Sequence, residues 1–137
     1  MKKCAIFDID GTLSNSKERA EAYLSGEKNW ERFYETMDGD EPIMPTVQLA
    51  KDLWENGYEI IISTGRPEKY REITRAWLIQ QGISFDELMM RPDNNFASDF
   101  IIKERHHLKM LEMGYKPTIV FEDRKQVVDM WRHRGLI

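Results

Sequence analysis

Short apolar runs alternate with longer amphipathic stretches along this chain, the pattern of an α/β domain built on a mainly parallel sheet. Cys4-Ala5-Ile6-Phe7 leads into Asp8 and predicts a first strand over roughly Lys3 to Asp8. From Ser14 to Asp40, Ala20, Tyr23, Leu24, Trp30, Phe33, Tyr34 and Met37 recur at spacings of three and four. That spacing suggests one or two short helices, with a turn at Gly26. Asp38 to Pro42 reads as a loop. Pro45 suits the start of a helix whose buried side is Val47, Leu49, Ala50, Leu53 and Trp54, stopped by Gly57. Tyr58 to Ser63 is the second strand. Pro67 then opens a helix with Tyr70, Ile73, Trp77 and Leu78 on one side. Leu88 to Met90 forms a short strand, and a helix follows from Ser98 or Asp99 to Met113. Pro117 to Phe121 is a buried strand, and the last helix carries Val127, Val128, Met130 and Trp131 before Gly135. Leu136-Ile137 resembles a strand just begun.

Composition narrows the class. A chain of 137 residues, 41% apolar and 32% charged, fits one globular domain with a real core. No apolar run approaches the roughly 20 residues needed to span a bilayer. No signal peptide is apparent, and Cys4, the only cysteine, allows no intrachain disulfide, so a cytoplasmic setting is expected. A net charge of −4 argues against a broad basic footprint for duplex nucleic acid.

Chemistry collects where the strands end. The first strand leads to Asp8 and Asp10, the second to Thr64-Gly65-Arg66, the last to Glu122-Asp123. Ligands of open α/β sheets bind outside the carboxyl ends of the strands. Asp8 and Asp10 are close enough to repel, and a divalent cation is the plainest relief. Asp8 and Asp123 are therefore metal-ligand candidates, with Mg²⁺ the fitting ion for hard oxygen donors. Thr64 offers a hydroxyl, and the amides around Gly65 are expected at a helix start, where an anion is welcome. Arg66 and Lys103 supply positive charge, which completes a site for a phosphoryl group. No Walker-type phosphate loop is present. Lys103 also has a plainer reading as an exposed i,i+4 partner of Asp99, and Asp99 one as a helix N-cap. His106 and His107 read as surface or packing residues; Trp54, Trp77 and Trp131 read as core. Trp30 reads equally as a substrate contact.

D-I-D-G-T at Asp8 to Thr12, Thr64, Lys103 and the pair Glu122-Asp123 resemble the four motifs of the haloacid dehalogenase (HAD) superfamily in its phosphatase form. T-G-R at Thr64 to Arg66, Y-R-E-I-T-R-A-W from Tyr70 and E-D-R-K-Q-V-V-D-M-W-R from Glu122 are similar to the 3′-phosphatase domain of bacteriophage polynucleotide kinase/phosphatase. The resemblance implies a Rossmann-like HAD fold over residues 1–137, with a small helical cap insert at about 14–44. It also implies a Mg²⁺-dependent phosphomonoesterase acting through a phosphoaspartyl intermediate on polynucleotide 3′-phosphates. By the same resemblance Asp8 is the nucleophile and a metal ligand. Asp10 is the acid/base and binds metal through its carbonyl. Thr64 and Lys103 hold phosphoryl oxygens, Asp123 binds metal, and Glu122 supports the ligands. Arg19, Arg66 and Asp99 match functional positions.

Three departures stand out. The family's acidic pair is usually Asp-Asp. The family's kinase domain is not in this sequence, which reads as a stand-alone phosphatase or a fragment, with a separate kinase or ligase as a partner. The chain also stops where the family continues into another strand. The expected substrate is a single-stranded DNA or RNA end. An insert of only about 30 residues leaves the mouth open, and Arg19, Arg32, Arg66, Arg71, Arg75 and Arg91 read equally as a basic rim around it and as a scattered, solvated set. A HAD-type 5′-nucleotidase or small-metabolite phosphatase is the alternative, and a catalytically silent binding module a more distant one.

Overall fold

A computed structural model describes residues 3–16 and 39–137. The central sheet has four parallel strands in the order β5-β4-β1-β6. They are β1 (Cys4–Phe7), β4 (Glu59–Pro67), β5 (Glu87–Arg91) and β6 (Pro117–Phe121). Side chains alternate across a strand, and the two faces of β1 fill two separate cores. Ala5 and Phe7 join Ile60, Ile62, Val47, Ala50, Trp77 and Leu78 on one face. Cys4 and Ile6 join Ile61, Met110, Val127, Met130 and Trp131 on the other. Helices α1 (Met44–Glu55) and α2 (Arg71–Gln80) cover the first face; α3 (Asp99–Glu112) and α4 (Lys125–His133) cover the second. Because the chain moves outward from β1 through β4 to β5 and then crosses to β6, strand order reverses at β1. That reversal opens a crevice at the carboxyl end of β1.

Four expectations change. Ser14–Asn15 (β2) and Glu41–Pro42 (β3) form a two-stranded antiparallel ribbon where a helix start and a loop were expected. Pairing closes the base of the intervening segment, and Pro42 is tolerated in so short an edge strand. The second strand does not stop at Ser63 but runs extended through Thr64-Gly65-Arg66 to Pro67. A 3₁₀ turn at Glu68–Tyr70 precedes α2, so the Gly65 amides do not sit at a helix N-terminus. Trp54 and Leu49 are each 37% exposed, because α1 buries only the narrow stripe through Val47 and Ala50. His106 and His107 are both buried, which selects packing from the two readings offered for them. Ile137 exchanges hydrogen bonds with Thr118 and Val120 beside β6, as its apolar character suggested. The expected helices after Ser16, with Arg19, Trp30 and Arg32, lie outside the described residues.

Candidate active site

Asp8 leaves β1 as its first polar residue, yet it is only 5% exposed. Its backbone amide continues the sheet by donating to Phe121 O at 3.0 Å. Its side chain accepts from Lys103 Nζ at 2.8 Å and from the Thr12 hydroxyl at 3.2 Å. The chain then turns tightly through Gly11, where φ is +86°. A Cβ at Gly11 would stand 2.0 Å from Asp123 Oδ2, so only glycine lets the loop after β6 approach the loop after β1.

Lys103 resolves its two sequence readings in favour of the buried one. It is 1% exposed and bridges Asp8 to Glu122 Oε2, the latter at 2.6 Å. The expected surface pair with Asp99 does not form. Asp99 binds Arg91 Nη2 at 2.6 Å and also accepts from Arg124. Ser98, not Asp99, occupies the N-cap position of α3. Helical periodicity left both arrangements open; the packing of α3 against β4 and α4, which sets Lys103 between Asp8 and Glu122, chose between them.

Asp8, Glu122 and Asp123 each offer an oxygen within 4.8 Å of the others. Three carboxylates around one ammonium leave two formal negative charges. Burial pushes the Asp8 carboxyl well above the usual carboxylate range, with Glu122 adding to that push and Lys103 opposing it. Burial likewise raises Glu122 against the pull of Lys103. Burial also pulls the Lys103 ammonium down, but Asp8 and Glu122 together hold it above the ordinary lysine value. A cation among these oxygens would return the carboxylates to their charged forms, and an all-oxygen donor set suits Mg²⁺. The residues fit the ion. Glu122 is closer to this centre than a supporting role requires, since it both pairs with Lys103 and belongs to the acidic cluster.

Asp10 lies in the turn, away from that cluster. Arg66 grips its carboxylate with a two-pronged fork, Nε to Oδ2 at 2.9 Å and Nη2 to Oδ1 at 2.8 Å. The Arg66 guanidinium thus offsets the Asp10 charge that the sequence reading set against Asp8. Arg66 is 1% exposed, reaches Thr74 Oγ1 at 3.4 Å and lies 3.9 Å from Asp40. Thr64 is fully buried, and its hydroxyl accepts the Arg66 amide at 3.2 Å.

Of the four described arginines considered for a basic rim, Arg75 is exposed on α2 and the other three are engaged within the protein. Arg66 and Arg91 turn inward to neutralise carboxylates and carbonyls, and Arg71 is paired with Glu68 at 2.7 Å. Arg91 and Arg124 are the organising residues that sequence reasoning missed in this role. Arg91 Nε donates to Gly65 O at 2.9 Å, and a Cβ at Gly65 would meet Asp99 Oδ1 at 2.6 Å. Gly65 lies 26 positions from Arg91 and Asp99 lies 25 from Arg124, so no local pattern announces these two contacts.

A parallel sheet with acidic residues and a buried lysine gathered at the reversal of strand order defines a hydrolase of the HAD phosphatase class. Comparison with known proteins agrees. The family described as the polynucleotide kinase PNKP phosphatase domain matches residues 2–137, and the chain belongs to that family. It is 34% identical to a chain in the structure of the Pnkp1/Rnl/Hen1 RNA repair complex, with a TM-score of 0.83, over 100% of this chain and 41% of that one. A protein of Autographa californica nuclear polyhedrosis virus, assigned as a bifunctional polynucleotide kinase/RNA ligase, is 26% identical over 95% of this chain and 18% of its own length. The chain thus spans less than half of these relatives. A class C acid phosphatase from Bacillus anthracis shares the fold, with a TM-score of 0.71 at 14% identity over 97% of this chain and 61% of that one.

Proposed function

We propose that this phosphatase domain removes 3′-phosphates from the ends of single-stranded DNA or RNA through a phosphoaspartyl intermediate on Asp8. The observation that carries the reading is the Lys103 ammonium held between buried Asp8 and Glu122, with Asp123 alongside. Membership of the polynucleotide kinase phosphatase family supports the polynucleotide substrate. A kinase or ligase working on the same ends is the natural partner, by analogy with the repair complex that contains a similar chain.

In the first half-reaction an Asp8 carboxylate oxygen attacks phosphorus, and the bond to the 3′-oxygen breaks. Asp10 gives that oxygen a proton. In the second, water attacks the acyl phosphate while Asp10 takes the water's proton, freeing Asp8 and inorganic phosphate. A phosphate that draws on the Arg66 guanidinium loosens its fork on Asp10 and lets that carboxyl exchange the proton. Lys103 and Thr64 face the phosphoryl oxygens, and Arg66 with the Gly65 backbone lines their approach. Asp8, Asp123 and the Asp10 carbonyl would hold Mg²⁺, with Glu122 beside them. When bound, the ion offsets the negative charge that keeps a phosphate from an anionic nucleophile.

Asp8→Asn keeps the shape of the side chain and removes the nucleophile. Turnover of a 3′-phosphorylated oligonucleotide in Mg²⁺ is expected to fall by at least ~10³-fold with the melting temperature nearly unchanged. Wild-type activity in that variant defeats the mechanism. A nucleotide or small-metabolite phosphatase is the second reading, favoured by the inward turn of Arg66 and Arg91. Comparing 3′-phosphorylated oligonucleotides with mononucleotides in one assay separates the two.

A further inference from the structure

One aromatic ring stands out against the packing of the rest. Phe96 is 92% exposed, the most exposed of the large apolar side chains of the described residues. It belongs to the loop that leaves the carboxyl end of β5, and β5 runs parallel to β4. The loop therefore emerges at the same end of the sheet as Asp8, Thr64 and Glu122.

The loop is held as tightly as the site itself. Arg91 Nη1 donates to the carbonyls on both sides of the phenylalanine, Asn95 O at 3.0 Å and Ala97 O. Pinching residues 95 and 97 onto one nitrogen makes Phe96 the apex of the bend. Asn95 Oδ1 accepts the Ala97 amide at 3.0 Å, and the Asn95 amide donates to Pro92 O. Asn94 takes a left-handed conformation, φ +61°, which asparagine tolerates better than most residues. Asp93 Oδ1 accepts the Lys69 amide at 2.9 Å and ties the loop to the turn after β4. The other nitrogens of Arg91 reach Gly65 O and Asp99. One guanidinium thus sets the T-G-R segment and the Phe96 apex relative to each other.

We propose that Phe96 is a stacking platform for a nucleobase at or next to the 3′-phosphorylated terminus. A flat ring on a pinned loop costs little entropy to place, and every base has a face to stack on it without regard to sequence. Stacking also supplies affinity where Arg66 and Arg91, the arginines nearest the T-G-R segment, are engaged by carboxylates and carbonyls of the protein. The inference rests on the polynucleotide reading of the site, and its occupant is a base rather than an apolar segment of a protein.

The test uses 3′-phosphorylated oligonucleotides with and without a base at each of the last two positions, assayed in Mg²⁺. Phe96→Ala is expected to raise KM for the fully based oligonucleotide by roughly five- to a hundredfold, with kcat moving less. Phe96→Trp is expected to restore it. In the wild type, removing the stacked base is expected to raise KM by a similar factor, and in Phe96→Ala to add nothing further. A KM within twofold of wild type in Phe96→Ala, in an enzyme that still prefers oligonucleotides, overturns the platform and leaves the proposed function standing. A wild-type enzyme with no preference for oligonucleotides over mononucleotides overturns both.

Discussion

At the scale of single residues, the site depends on atoms that are missing as much as on those present. Gly11 combines φ +86° with a hypothetical Cβ only 2.0 Å from Asp123 Oδ2, so an alanine there strains the backbone and displaces a candidate metal ligand together. Gly11→Ala is expected to lose about 1–3 kcal/mol of stability and to need more Mg²⁺ for half-maximal activity. Gly65→Ala meets Asp99 Oδ1 at 2.6 Å without the left-handed backbone, so it strains a side chain that can shift. Its stability loss is expected to be the smaller of the two. Urea midpoints and Mg²⁺ titrations of the two variants check this, and equal losses would refute the distinction. Asp8, Asp10 and Asp123 were legible as a polar mouth because each closely follows an apolar run. The division between them was not legible. Asp8 took Lys103 and Asp10 took Arg66, residues 95 and 56 positions away.

At the scale of elements, α3 does two jobs on one face. Lys103 reaches the acidic cluster, and one turn later His106 ties the helix to the sheet. Met90 O can only accept, so His106 Nε2 donates to it at 2.9 Å and Nδ1 accepts from the Ser63 hydroxyl at 2.8 Å. Burial lowers the His106 pKa to about 4. A histidine depressed in the folded state takes up its proton in the unfolded chain first, near pH 6.5. Its contribution is therefore full above pH 6.5 and is lost as pH falls toward 4, amounting to about 3 kcal/mol over that window. His106→Gln is expected to show a shallower fall of the urea midpoint across pH 6.5 to 4. An unchanged slope would assign the titration to other groups. The sequence marked α3 and its length well, but put Lys103 on its solvent side as readily as on its buried one. Periodicity identifies a stripe; it does not say which strand end the stripe covers.

At the scale of the molecule, the three carboxylates of the mouth come from two strand ends that meet because β1 pairs with β6. A cation that binds this folded cluster and not the open chain stabilises the fold by mass action. At a hundred times its dissociation constant, Mg²⁺ is expected to add about 2.7 kcal/mol, read as a rise in melting temperature. Asp123→Asn is expected to abolish most of that rise, and a full rise in the variant would remove Asp123 from the ligand set. Among the described residues no helix is long and apolar enough to cross a membrane.

The alternation of apolar runs and amphipathic stretches by itself determined an α/β sheet with chemistry at its carboxyl ends. Hydrophobic periodicity is local, and burial of Ala5 and Phe7 on one face and Cys4 and Ile6 on the other follows from it. The D-I-D-G-T, T-G-R and E-D-R segments carried the resemblance to the family, and the family match over residues 2–137 bears it out. Tertiary structure decided the pairings. Lys103 is buried, Arg66 and Arg91 turn inward, and Phe96 faces outward on a pinned loop. Each outcome depends on where a distant carbonyl or carboxylate comes to rest. A charged side chain is buried only when such a partner meets it, and the chain must fold before the partner is there.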